Sequence, residues 1–140
     1  MTNITFAVIK PDAVKNGYTT SILFKIEKSG FKIIAMKMMQ ISQKIANKFY
    51  HEHQNSFYFN SLITFMSSGP IIPIMLKKNN AVKDFRILMG NKNPLYAKNG
   101  TIRKLYAKSL EQNAIHGSDK NENVDKEYQL FFDEQEIFLK

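Results

Sequence analysis

Three short apolar runs, TFAVIK at 5–10, FKIIAMKMMQI at 31–41 and GPIIPIMLK at 69–77, alternate with stretches whose apolar residues recur about every four positions. None approaches the ~18 unbroken apolar residues of a membrane span. Runs of this length, ended by turn residues, read as buried strands, although the methionines of 31–41 also suit a helix. The first run stops at Pro11, whose ring removes a ladder donor, so Lys10 stands at a strand's end. Tyr18, Ile22 and Ile26, with Gly30 behind them, predict a helix over 20–29. Ser42 caps a helix with Ile45 and Phe49 on one face, reaching about residue 53, and YFNSLITFM is a short helix. Residues 80–89 form a helix closed by Gly90, and Pro73 inside its strand implies a bulge or an unpaired position. Residues 91–100, NKNPLYAKNG, read as a surface loop of functional length, followed by a helical turn near Thr101. A short strand at 114–115 and a helix over 121–132, with Val124, Tyr128 and Phe131 inward, complete the chain. The order β-α-β-α-α-β-α-loop-β-α predicts one domain over residues 1–140, a small mixed sheet with helices packed on it.

Composition narrows the chemistry. Without cysteine there are no disulfides or thiolate metal sites, and any nucleophile must be a histidine, hydroxyl, lysine or carboxylate. The opening MTNITFAVIKP has no basic leader before an apolar stretch, so a cytoplasmic location is expected. A formal charge of +8 favours anionic ligands such as phosphates or nucleic acid. Eighteen of the twenty cations are lysines, which leaves Arg86 and Arg103 as the planar forks able to grip phosphate oxygens bidentately. A structural ion pair explains either arginine equally well from composition alone.

Neither G-x-x-x-x-G-K-[ST] nor G-x-G-x-x-G after a strand occurs, so phosphate handling would fall to side chains. The candidates are Lys10, Arg86, Arg103 and Asn113, the last lying three residues before His116. A lone histidine ending a buried strand is more often structural than reactive. In QNAIHGSDK the neighbours shift that balance: Gly117 removes a side chain that would crowd the imidazole and lets the backbone turn, while Ser118 and Asp119 offer hydrogen-bonding groups at a helix start. Neutral imidazole is a competent nucleophile near pH 7, and a carboxylate on its second nitrogen would hold the tautomer. His51 and His53, two apart on a helix, fall on different faces and are expected to face solvent rather than chelate metal. Tyr50 reads as core, and Tyr58 offers an aromatic face to a base.

Together VIKPDAV, SSGPII, GTIRKL and NAIHGSD resemble the motifs of nucleoside diphosphate kinases, in that family's order and from about residue 5 to residue 132. The resemblance implies a ferredoxin-like α/β (α+β) fold, a four-stranded antiparallel sheet covered by helices, and it likens the 91–100 loop to an insertion at subunit contacts. It implies ping-pong transfer of a terminal phosphate through phosphohistidine at His116. It also implies phosphate binding by Lys10, Arg86 and Arg103, a tyrosine near the lysine at Tyr50, and ribose and phosphate contacts by Asn113. Tyr58 and Leu62 would clamp the base, Leu110 belongs with them in the nucleotide site, and Ser118 and Glu127 would orient the imidazole. For Glu127 the sequence alone favours a charged surface residue. Mg2+ would arrive with the nucleotide, and the partners implied are nucleoside di- and triphosphates and further copies of the chain, as a tetramer or hexamer. No membrane partner is implied and nucleic acid is not required.

The chain departs from the family pattern at Ala13 (usually glycine), Lys92 (commonly threonine, a phosphate position), Lys120 (usually small) and Tyr58 (usually phenylalanine). The competing reading is a non-enzymatic basic module that stacks nucleic acid on Tyr50, Phe57 and Tyr58. A phosphohistidine relay to a protein partner is a third.

Overall fold

The computed structural model describes residues 3–139. Its frame is a four-stranded sheet in the order β2-β3-β1-β4, formed by β1 (Ile4–Ile9), β2 (Lys32–Met36), β3 (Ile72–Lys77) and β4 (Ile115–Gly117). Every neighbouring pair is antiparallel, as the ferredoxin-like expectation requires. The helices are α1 (Pro11–Lys15), α2 (Thr19–Lys28), α3 (Gln43–Phe49), α4 (Phe59–Met66), α5 (Ala81–Met89), α6 (Ile102–Tyr106) and α7 (Asn121–Tyr128).

The first apolar run is continuous because both of its faces are covered. Phe6 and Val8 of β1 join Met75, Ala46 of α3, Ile63 and Met66 of α4, Val124 of α7, and Phe131 in one core. Ala7 and Ile9 point the other way, onto Ile74 and Leu76 of β3, Ile22 and Ile26 of α2, Phe85 and Met89 of α5, and Ile102 of α6. Two helical layers therefore sandwich the sheet, and β4 lies at its edge with His116 opposite Val8.

Several boundaries differ from the sequence reading. The strand expected over 31–41 is regular only to Met36, with one later bridge between Met39 and Ile71. Pro73 accepts from the Lys37 amide at 3.3 Å but has no N–H to return, so pairing lapses beside it, the unpaired position that the proline implied. The register shift itself lies in β2, between Ile33 and Ala35. α3 stops at Phe49, and 51–53 tighten into a 3-10 turn. α7 stops at Tyr128, not 132; the turn that follows lets the adjacent Phe131 and Phe132 both be buried, which a continued helix would splay about 100° apart. Pro11 ends β1 and also opens α1, a helix not expected from the sequence, in the first-turn position where its missing N–H costs nothing. Ala114 is no strand residue: its φ is 73°, and β4 begins after it.

Candidate active site

His116 sits mid-β4, so the alternation of the strand turns it to the α3/α7 side of the sheet while Gly117 faces α5. That corrects the reading of Gly117. A Cβ there would approach Met89 Cε to 2.7 Å and Phe85 Cδ2 to 2.8 Å, so the glycine lets β4 lie close against α5 and has no bearing on the imidazole. The ring packs edge-on against Phe49 at 4.8 Å between centroids, with Tyr50 and Phe6 just beyond.

Glu127 reaches back from the last turn of α7. Its Oε2 lies 2.9 Å from His116 Nε2, and its Oε1 accepts from Ser118 Oγ at 2.6 Å. Glu127 is only 15% exposed, against 18% for His116, so the surface reading of this glutamate is replaced by a half-buried, doubly engaged carboxylate. Ser118 and Asp119 do not cap the helix; its N-cap is Lys120, which makes no side-chain cap bond. An ionised carboxylate can only accept, so the neutral ring carries its proton on Nε2 and keeps the Nδ1 lone pair. Among the described residues Nδ1 has no hydrogen-bond partner. A cleft of about 430 Å³ opens on this ring, lined also by Tyr50, His51, His53, Asp119, Asn123 and Lys126. His51 and His53 both line the cleft; His51 is exposed as expected, while His53 is half-buried.

The candidate phosphate ligands converge on the start of β4. Lys10 donates its amide N–H to the Ala114 carbonyl at 2.9 Å, and the residue is 6% exposed. Burial and then the Arg103 charge bring its ammonium down to a pKa of about 8, against the opposing pull of Asp12 and Glu111. Arg103 spans two carbonyls, donating to Ile115 at 2.7 Å and to Gly90 at 3.1 Å. Burial, then Arg86, lower it to about 10, so it stays charged at neutral pH. Gly90 is required here, since a Cβ at its φ of 84° would lie 2.5 Å from Thr101 Oγ1. Asn113 donates to the Lys92 carbonyl at 3.4 Å, while the Lys92 side chain lies in an exposed position. Arg86 forms the ion pair that composition left open, with Asp119 at 2.8 Å, and both are largely exposed.

Four buried polar atoms in this region have no partner: Tyr50 Oη, Arg103 Nε, Asn113 Oδ1 and Asp12 Oδ1. Burial, then Glu127, hold the Tyr50 hydroxyl well above its ordinary pKa, so it remains a neutral donor. Farther out, Tyr58 is the N-cap of α4, with its hydroxyl 3.1 Å from His53 Nδ1, and Leu62 packs half-buried against the core. Leu110 is exposed on the 107–113 segment, which Glu111 ties to α4 through Ser61 at 2.6 Å. None of Tyr58, Leu62 and Leu110 lines the cleft on His116, though Tyr58 meets His53, which does. Among the described residues no group of three or more His, Asp or Glu side chains converges as a metal cage. No described helix is long and apolar enough to cross a membrane. Sequence reasoning assigned nothing to Asp12 or Asn123 and gave Asp119 a place at a helix start, not its pairing with Arg86; for Asp12 the available signal was its place in IKPD, two residues after a strand-ending lysine.

Residues 3–137 match the family described as nucleoside diphosphate kinase. The chain is 46% identical over 136 residues to the nucleoside diphosphate kinase of Histophilus somni, covering 97% of this chain and 96% of that one. It is similar to the solved nucleoside diphosphate kinase of Aquifex aeolicus, with a TM-score of 0.94 and 33% identity over 96% of this chain and 98% of that one. The structure of the Halobacterium salinarum nucleoside diphosphate kinase, solved in complex with CDP, matches with a TM-score of 0.93 and 34% identity over 98% of this chain and 91% of that one.

Proposed function

The chain belongs to the nucleoside diphosphate kinase family, and from that premise we propose that it moves the terminal phosphate of one nucleoside triphosphate to another nucleoside diphosphate through His116. The observation that carries the reading is the imidazole bonded through Nε2 to Glu127, with Nδ1 unpaired beside an open cleft. In the first half-reaction Nδ1 attacks the γ-phosphorus, the bond to the β-γ bridging oxygen breaks, and the diphosphate leaves. In the second, a terminal oxygen of a different diphosphate attacks the phosphohistidine and the ring returns. The Nε2 proton stays in place throughout, held by Glu127 against the positive charge that grows on the ring.

Phosphoryl transfer through a loose transition state asks the protein for position and positive charge. Lys10, Arg103 and Arg86 supply the charge and Tyr50 a neutral donor. Asn113 takes the ribose and phosphate side, and Lys92 an outer phosphate. Tyr58, Leu62 and Leu110 hold the base by its faces, which tolerates every base. Magnesium, carried on the nucleotide's phosphates, would neutralise charge on the departing oxygens. Of the three carboxylates lining the cleft, Glu127 is engaged with His116 and Asp119 with Arg86, which leaves Glu52 alone, too few for a protein cage and in keeping with a cation held mainly by phosphate.

Self-association as a tetramer or hexamer in the cytoplasm completes the reading, supported by exposed apolar side chains such as Phe24, Met36 and Phe138. Initial rates with ATP and GDP varied together test the scheme. Parallel double-reciprocal lines are expected; converging lines would mean direct transfer in a ternary complex and would rule out the phosphohistidine route.

A further inference from the structure

Two described residues other than glycine have positive φ, Asn80 and Ala114. Asparagine tolerates the left-handed region, but alanine does not, and Ala114 is fully buried two residues before His116. Its backbone is tied on both sides to the 10–12 segment: its N–H donates to Asp12 Oδ2 at 3.1 Å, and its carbonyl accepts from the Lys10 amide at 2.9 Å. The Ile115 N–H donates to the Asn113 carbonyl at 2.9 Å, closing a three-residue turn with Ala114 at its centre. Asp12 lies on α1, 7% exposed, with its other oxygen unpartnered, and no step of the phosphate transfer uses it.

We propose that Asp12 is a positioning residue: its carboxylate holds Ala114 in the left-handed turn that sets Asn113 and His116 in their places around the cleft. Remove the acceptor, and a buried N–H at a strained residue loses its only partner, so the turn relaxes and both neighbours move with it. The effect on catalysis rests on the phosphate-transfer reading above, while the effect on the turn does not. Asp12 also contributes negative charge near the Lys10 ammonium, so its two roles separate in the conservative variant, which keeps the acceptor and loses the charge.

The experiment compares Asp12→Ala, Asp12→Asn and the double variant Asp12→Ala/Ala114→Gly with the parent. It reads amide exchange at Ala114, nucleotide kinetics and the rate of phosphoenzyme formation. For Asp12→Ala, fast exchange at Ala114 and about a hundredfold slower phosphoenzyme formation are expected, as for a modest misplacement of reacting groups. Asp12→Asn should keep the amide protected and kcat within about threefold, with a raised KM, since an amide oxygen accepts the same hydrogen bond. Glycine at 114 adopts positive φ freely and should restore most of the rate to Asp12→Ala. If Asp12→Ala does not fold, recovery of folding in the double variant supports the proposal and failure to recover overturns it. Ala114 exchange as slow in Asp12→Ala as in the parent overturns it as well, and so does an Asp12→Asn as impaired as Asp12→Ala. A parent protein that transfers no phosphate defeats the functional reading, and the exchange comparison then still decides the role of Asp12.

Discussion

The imidazole pocket and the phosphate flank adjoin along β4, yet they treat buried polar atoms in opposite ways. Around His116 the protein supplies its own partners: Glu127 takes both the ring and Ser118. On the flank, Arg103 Nε, Asn113 Oδ1 and Asp12 Oδ1 are buried and unpaired, Tyr50 Oη is so where the flank meets the cleft, and Lys10 is buried with a lowered pKa. An unsatisfied buried polar group costs about 1–3 kcal/mol, so the flank is destabilised in the free protein and the pocket is not. On the proposed function the difference separates two duties: the nucleophile would be oriented before substrate arrives, whereas the phosphate ligands would be completed by the substrate itself.

That contrast breaks most sharply at Glu127. Replacing it with alanine strands Ser118 and the imidazole together, so kcat should fall about a hundredfold or more and the melting temperature should drop. A variant that keeps its rate would show that the pocket's pairing has no catalytic role. Lys10→Met is the counterpart on the flank: nucleotide affinity should fall at least about tenfold, while the free protein gains up to about 3 kcal/mol from losing a buried charge. Denaturant titration and substrate kinetics on the same preparation check both signs.

Tyr50→Phe is the gentler version. Removal of one orphaned hydroxyl should stabilise the nucleotide-free protein by about 1 kcal/mol and raise KM severalfold. A loss of stability would mean that the hydroxyl is satisfied in solution. A further test turns on pH. Lys10 binds its proton up to about pH 8 when folded and up to its ordinary 10.5 when unfolded. Between these values the unfolded chain holds more protons, so the Lys10 contribution makes stability rise with pH. Over the same interval the folded lysine is losing its charge, so KM should rise. Measurements from pH 7 to 10 on the parent and Lys10→Met would isolate this term, which vanishes in the variant.

The sheet was legible because an apolar run such as 5–10 carries the same message on both faces, and the helices because Ile22 and Ile26 repeat at a helical spacing. Local context that depends on a partner was not. Nothing in 114–115 announces that Ala114 leaves the extended region, since Asp12, about a hundred positions earlier, provides its hydrogen bond. The role suggested for Gly117 failed because a strand's alternation sends neighbouring residues to opposite faces, a fact that QNAIHGSDK alone does not tie to α5. Glu127 read as surface from its charged neighbours, and only the family resemblance pointed inward. Of the site itself, the motifs carried His116, Lys10, Arg103 and Asn113 to one strand start, while the pairing of Arg86 with Asp119 and the unpartnered state of the flank depend on the packed chain.

The most direct test of the central claim is to mix the protein with magnesium and ATP labelled on its terminal phosphate, locate the label, and chase with unlabelled GDP. The account predicts acid-labile label on His116 that leaves as GTP, and none on His116→Ala. Label retained on His116→Ala, or a parent protein that makes GTP without ever holding the phosphate, would contradict it.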